Sequence, residues 1–204
     1  MSAFQITPWR QVTDDLVMSW SVINLLHQVS YELVGNATRV FSKTEALAQG
    51  SYGSMGRRQK EKIDSLMPHV TRVMHAAQQM TLWLDMQRGE AIATIPNIPD
   101  ADKVLSWSPH DLVQNIHTEL QENIPTALEN VRELVSGTYG FVAADQEKMI
   151  KLLHRDICRT GEVLRCLALW LQAHDKDIKE ADIGLARKCS HFDLQSVEVY
   201  RADG

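Results

Sequence analysis

The chain has few of the residues that punctuate or cross-link a fold. It carries three cysteines, six prolines and ten glycines in 204 residues. Cys158, Cys166 and Cys189 are odd in number and lack metal-ligand spacing, which argues against a disulfide framework or a zinc site. Reduced thiols and a cytoplasmic location are expected. No apolar run approaches the roughly 18 residues of a membrane span, and Met1 is not followed by a basic and then apolar signal, so no membrane partner is expected. A net charge of −5 supplies no basic field for nucleic acid. The eight histidines show no spacing that suggests a zinc or di-iron site, so neither a metal nor a cofactor is expected.

What is present is helical periodicity in a chain of ordinary composition, 44% hydrophobic and 23% charged. Ile63, Leu66, Val70, Val73, Ala77, Met80 and Leu84 follow steps of three and four, a heptad seam that needs another helix against it. Upstream, Val22, Leu26, Val29, Leu33, Val40 and Leu47 keep the same spacing if Asn36 and Lys43 occupy two seam positions. Neither is a good core residue, although a lysine stem can lie along apolar surface. Two such arms leave more apolar surface than one hairpin hides. The expected remedy is a second hairpin from another copy of the chain.

The predicted fold class is mainly α: a long antiparallel helical hairpin forming a dimeric four-helix bundle, then a smaller α or α+β C-terminal domain. The hairpin domain spans 1–90, a linker 91–107 and the C-terminal domain 108–204. Thr13-Asp14-Asp15 caps a first helix running to about Gln49, where Gly50 stops it. The second helix runs from about Gly56 to Arg88, with Pro68 inside it marking a bend or a later start. Pro96 and Pro99 mark the linker. Ser108-Pro109 opens a further helix. Residues 163–172 and 194–201 are candidate strands, although the first could equally continue a helix.

The hairpin carries Ser30-Tyr31-Glu32-Leu33, then Thr44-Glu45-Ala46-Leu47, the turn Gly50-Ser51-Tyr52-Gly53-Ser54-Met55, and Gln59-Lys60-Glu61. In order and interval these resemble the dimerisation and phosphotransfer hairpin of sensor histidine kinases, with Tyr31 in place of the phosphoacceptor histidine. More weakly, 108–113 and 142–153 resemble pieces of the ATP-binding domain of those kinases. There the resemblance puts Arg155 and Arg159 where the family has asparagines, the later of which holds magnesium. A guanidinium offers a cation no acceptor. The glycine-rich phosphate boxes are also missing, so no ATP binding of that type is expected.

The resemblance implies a non-catalytic, kinase-like signalling module, a homodimer whose helical face of His27, Tyr31, Glu32, Gly35 and Thr38 binds a receiver domain or an intact histidine kinase. Tyr31 would present an aromatic knob where a phosphoryl group was carried. A phenol with a pKa of about 10 is a poor nucleophile and cannot inherit the imidazole's task. Glu32 matches the acid that assists the family's histidine. Gly35 stands where partner-dephosphorylating members carry a hydrogen-bonding side chain. No residue is expected to be catalytic. One alternative is a histidine phosphotransferase of a phosphorelay using His27 or His154. Another is a helical structural or interaction protein.

Overall fold

The computed structural model describes residues 7–89 and 98–174. Six α-helices follow a short 3-10 turn at Trp9–Gln11. They are α1 (Asp14–Ser19), α2 (Val22–Ala48), α3 (Arg57–Gln87), α4 (Ala101–Ser106), α5 (Pro109–Val135) and α6 (Ala144–His174). The four long helices form a ring, each packed on its two neighbours in the order α2, α3, α5, α6 and back to α2. Cross-helix pairs fix an up-down-up-down arrangement. On α3 and α5, Lys62 meets Glu133, while Arg72 meets Glu119. On α2 and α6, Lys43 meets Asp156, while Trp20 meets Trp170 near the opposite ends.

The helical expectation holds, and among the described residues there is no strand. Residues 163–172 belong to α6, where Val163, Leu164, Leu167, Ala168 and Leu171 are buried at helical rather than alternating spacing. The other candidate strand, 194–201, lies outside the described residues. The single helix expected from 13 to 49 is instead two. Trp20 is extended, its carbonyl accepts the Trp170 indole N–H at 2.9 Å, and the Ser21 hydroxyl caps a fresh helix by accepting from the Asn24 N–H. Pro68 stays inside α3, which starts at Arg57.

The apolar stripe left by α2 and α3 is covered within the chain. One continuous core joins Leu26, Leu33 and Val40 of α2, Leu66, Val73 and Met80 of α3, Leu112, Leu120 and Val131 of α5, and Leu153, Leu164 and Leu171 of α6. Closing this core therefore requires no second copy, and both parts of the chain on either side of the linker contribute to it.

The reason is an internal repeat. Each helix of the first half returns 87 positions later: α1 as α4 and α2 as α5 with identical bounds (101 − 14, 109 − 22), and α3 as α6 with the same start (144 − 57). Twenty of the 74 positions from 14 to 87 carry the same residue 87 places on, without a gap. The shared residues include Trp20-Ser21 and Trp107-Ser108, Gln59 and Gln146, and Trp83 and Trp170. The turn Gly50-Ser51-Tyr52-Gly53 returns as Gly137-Thr138-Tyr139-Gly140. Its glycines take matching left-handed angles, φ 74° and 71° at the first and 99° and 98° at the second, which explains why glycine is kept there.

The two repeats bind each other reciprocally. Gln59 Nε2 donates to the carbonyl of Phe141 at 3.0 Å, and Gln146 Nε2 donates to that of Ser54 at 3.2 Å and of Gly53 at 2.9 Å. Each amide oxygen caps its own helix, accepting from Gly56 N–H and Ala143 N–H respectively. At the other end the Trp83 indole donates to the Trp107 carbonyl at 3.0 Å, the counterpart of the Trp170–Trp20 bond. The bundle is thus a two-fold arrangement of two copies of one helical hairpin in a single chain.

Candidate functional site

The face of α2 named from the sequence is largely outward. His27, Tyr31, Gly35 and Thr38 follow steps of four, four and three, one stripe of the helix. Tyr31 is 63% exposed, at the position furthest from the buried seam of Leu26, Val29, Leu33 and Val40. Thr38 is exposed, and its hydroxyl donates back to the Val34 carbonyl at 2.8 Å, within the helix. Glu32 and Gly35 are half-buried. A Cβ at Gly35 would come within 3.4 Å of Arg39 Nη1, so the glycine leaves room for the guanidinium folded back over it.

His27 is half-buried where α2 meets the end of α3, with Arg88 Nη2 3.2 Å from its Nδ1. Desolvation, and then the charge of Arg88, hold its pKa below the ordinary histidine range, which favours neutral imidazole. His154, on α6, is likewise lowered by burial and then by Arg132, and its Nε2 lies 3.9 Å from Cys158 Sγ. The structure thus groups His27, Tyr31, Gly35 and Thr38 on one stripe of α2 and sets His154 apart on α6. No group of three histidine, cysteine, aspartate or glutamate side chains suited to a metal is found among the described residues.

Searches against protein-family models, curated proteins and solved structures return no match. The site must be read from its own chemistry.

That chemistry is densest at a place the sequence reading did not single out. Asp156 on α6 is fully buried, and three cations converge on it. Lys43 Nζ lies 2.5 Å from Oδ2, while Arg155 Nε and Arg39 Nε lie 3.5 and 3.7 Å from Oδ1. Asn36, also buried, accepts a hydrogen bond from Arg39 Nη2 through its Oδ1. Asn36 Nδ2, Arg155 Nε and Asp156 Oδ1 have no hydrogen-bond partner within the protein. The two misfits of the first heptad seam, Asn36 and Lys43, are therefore the α2 side of this cluster. Their seven-residue spacing on a buried seam was the available signal, but only the packing of α6 shows that an aspartate answers them.

The repeat supplies a second version of the same place. There His69 stands for Asp156, Asn123 for Asn36 and Asn130 for Lys43, each 87 positions away. His69 Nδ1 and Asn123 Oδ1 are 3.0 Å apart, a hydrogen bond in which the imidazole N–H donates to the amide oxygen. Thr126 stands for Arg39 and Pro68 for Arg155. One of the two equivalent positions thus gathers lysine, two arginines and aspartate, and the other has none of these.

Proposed function

We propose that the chain is a non-catalytic, histidine-kinase-like interaction module whose α2 face takes a receiver domain or an intact kinase. The observation that carries this reading is Tyr31, a large aromatic residue 63% exposed at the outermost position of a helical hairpin whose turn and box residues resemble those of the family. Its counterpart on α5 is Thr118, so the aromatic knob belongs to one half only. The reading keeps the resemblance of the hairpin and sets aside that of the ATP-binding domain, because residues 108–174 repeat residues 21–87. It does not require a homodimer, since α5 and α6 already cover the hairpin. Tyr31→Ala and Thr38→Glu are expected to abolish capture of receiver domains or kinases in pull-downs while leaving helicity unchanged. Capture that survives both substitutions would remove the assignment of this face.

A second reading, phosphotransfer through His27, has one observation in its favour. The imidazole sits one turn before Tyr31, and burial and then Arg88 lower its pKa, which favours the neutral form that phosphotransfer needs. Incubation with a phosphorylated receiver domain tests it. Acid-labile phosphate on the protein, lost in His27→Gln, would replace the first reading, and transfer lost only in His154→Gln would move the site to α6.

A further inference from the structure

The Asp156 cluster contains more positive charge than its carboxylate can neutralise. Lys43, Arg39 and Arg155 set three cations against one anion, a surplus of two charges (3 − 1). Lys43 makes the close ion pair, its side chain 17% exposed. The two guanidiniums reach Asp156 only through long contacts at 3.5 and 3.7 Å, Arg39 being held besides by its hydrogen bond to Asn36 Oδ1, and their side chains are 39% and 44% exposed. Each guanidinium has five N–H donors in a planar fork, so most of their donor capacity is not spent on Asp156. The buried Asn36 Nδ2 adds a further donor without a protein acceptor.

The fold does not demand this arrangement. At the equivalent place in the other repeat, a His69–Asn123 hydrogen bond stands where the aspartate and its cations would be, between the same two kinds of helix. Replacing buried ion pairs by uncharged groups of similar size is often neutral or stabilising. Charge concentrated at one of two equivalent positions, with donors in excess and guanidiniums reaching solvent, points to a ligand rather than to packing.

We propose that Arg39 and Arg155, backed by Lys43, form a binding site for a phosphate group, free or esterified, on the α2–α6 face. Such a group carries about −1.5 to −2 charge at pH 7 and three acceptor oxygens, matching the surplus charge and the free donors. Arginine forks bind phosphate oxygens in pairs, one guanidinium from each helix. Asp156 has a positioning role: it holds both guanidiniums toward one point through its Oδ1, and Gly35 leaves space for that of Arg39. The site stands independently of whether Tyr31 meets a receiver domain.

The test is calorimetric titration of the full chain with inorganic phosphate and with O-phosphoserine, against chloride at matched ionic strength. Saturable binding with a Kd of about 1 mM or tighter is expected, weakened at least tenfold in Arg39→Gln/Arg155→Gln. Tighter binding of phosphoserine would assign the site to a phosphorylated side chain, and tighter binding of inorganic phosphate would assign it to the free ion. No binding above the chloride control overturns the proposal. Equal binding by the double variant also overturns it and indicates an adventitious ion only. Should that variant fail to fold by circular dichroism, Arg39→Lys/Arg155→Lys decides: it keeps the charge but loses the fork. Several-fold weaker binding supports the site, and unchanged binding overturns it.

Discussion

At the scale of single residues, Lys43 and Asp156 behave as a pair whose members differ in their dependence on each other. Asp156 is fully buried, whereas the Lys43 ammonium lies close enough to the surface to turn toward water. Lys43→Ala removes the closest cation from a desolvated carboxylate. Breaking a buried pair costs about 3–5 kcal/mol, and the lower end, about 3 kcal/mol, is expected here because Arg39 and Arg155 remain nearby. The other repeat shows how the position is filled without a lysine–carboxylate pair. Lys43→Asn/Asp156→His, copying Asn130 and His69, is therefore expected to be less destabilising in urea unfolding than Lys43→Ala alone. A double variant as unstable as the single one would mean that the two places are not interchangeable. The exposure of Tyr31 and Thr38 was legible from heptad position, because outward residues are set by the helix that carries them. Asp156 was not legible, since an aspartate between Arg155 and Ile157 gives no sign of being buried until α2 is laid against it.

At the scale of elements, the helix ends are set by local chemistry and locked by reciprocal bonds. Ser21 and Ser108 cap α2 and α5, and paired glycines at positive φ end α2 and α5. Gln59 and Gln146 each cap one helix and reach across to the other hairpin's turn. Replacing either by alanine removes the crossed bonds to the turn carbonyls and one cap, each worth about 0.5–1.5 kcal/mol. The repeat adds a sharper expectation: Gln59→Ala and Gln146→Ala should cost the same to within about 0.5 kcal/mol, the precision at which independent sites are compared. Chemical denaturation of the two variants checks it, and a clear inequality would show that the crossed bonds differ in worth. Helix existence and type were legible from periodicity. The break at Trp20 was not, because it depends on the Trp170 indole arriving from the far end of the chain.

At the scale of the whole molecule, the bundle is two hairpins of one design. The half-molecule 1–97 should therefore close its exposed stripe on a second copy of itself, with Gln59 of each meeting residues 53 and 54 of the other. Sedimentation velocity of that fragment is expected to show a dimer. His69→Asp should tighten it, by restoring at each interface the Lys43–carboxylate pair that the full chain makes through Asp156. A folded fragment that stays monomeric, or one indifferent to His69→Asp, would mean that the two halves are no longer alike enough to substitute for one another.

The sequence by itself determined the helices, the hairpin turn with its glycines, the outward face of α2, and the need for a second hairpin, because each follows from spacing along one segment. The 87-residue repeat in the sequence already holds that second hairpin, and only the tertiary structure decided that the two hairpins close on each other and why Asn36 and Lys43 interrupt an apolar seam. The first depends on α5 and α6 packing onto α3 and α2 and the second on Asp156 of α6, and no local pattern encodes which helix will lie against which.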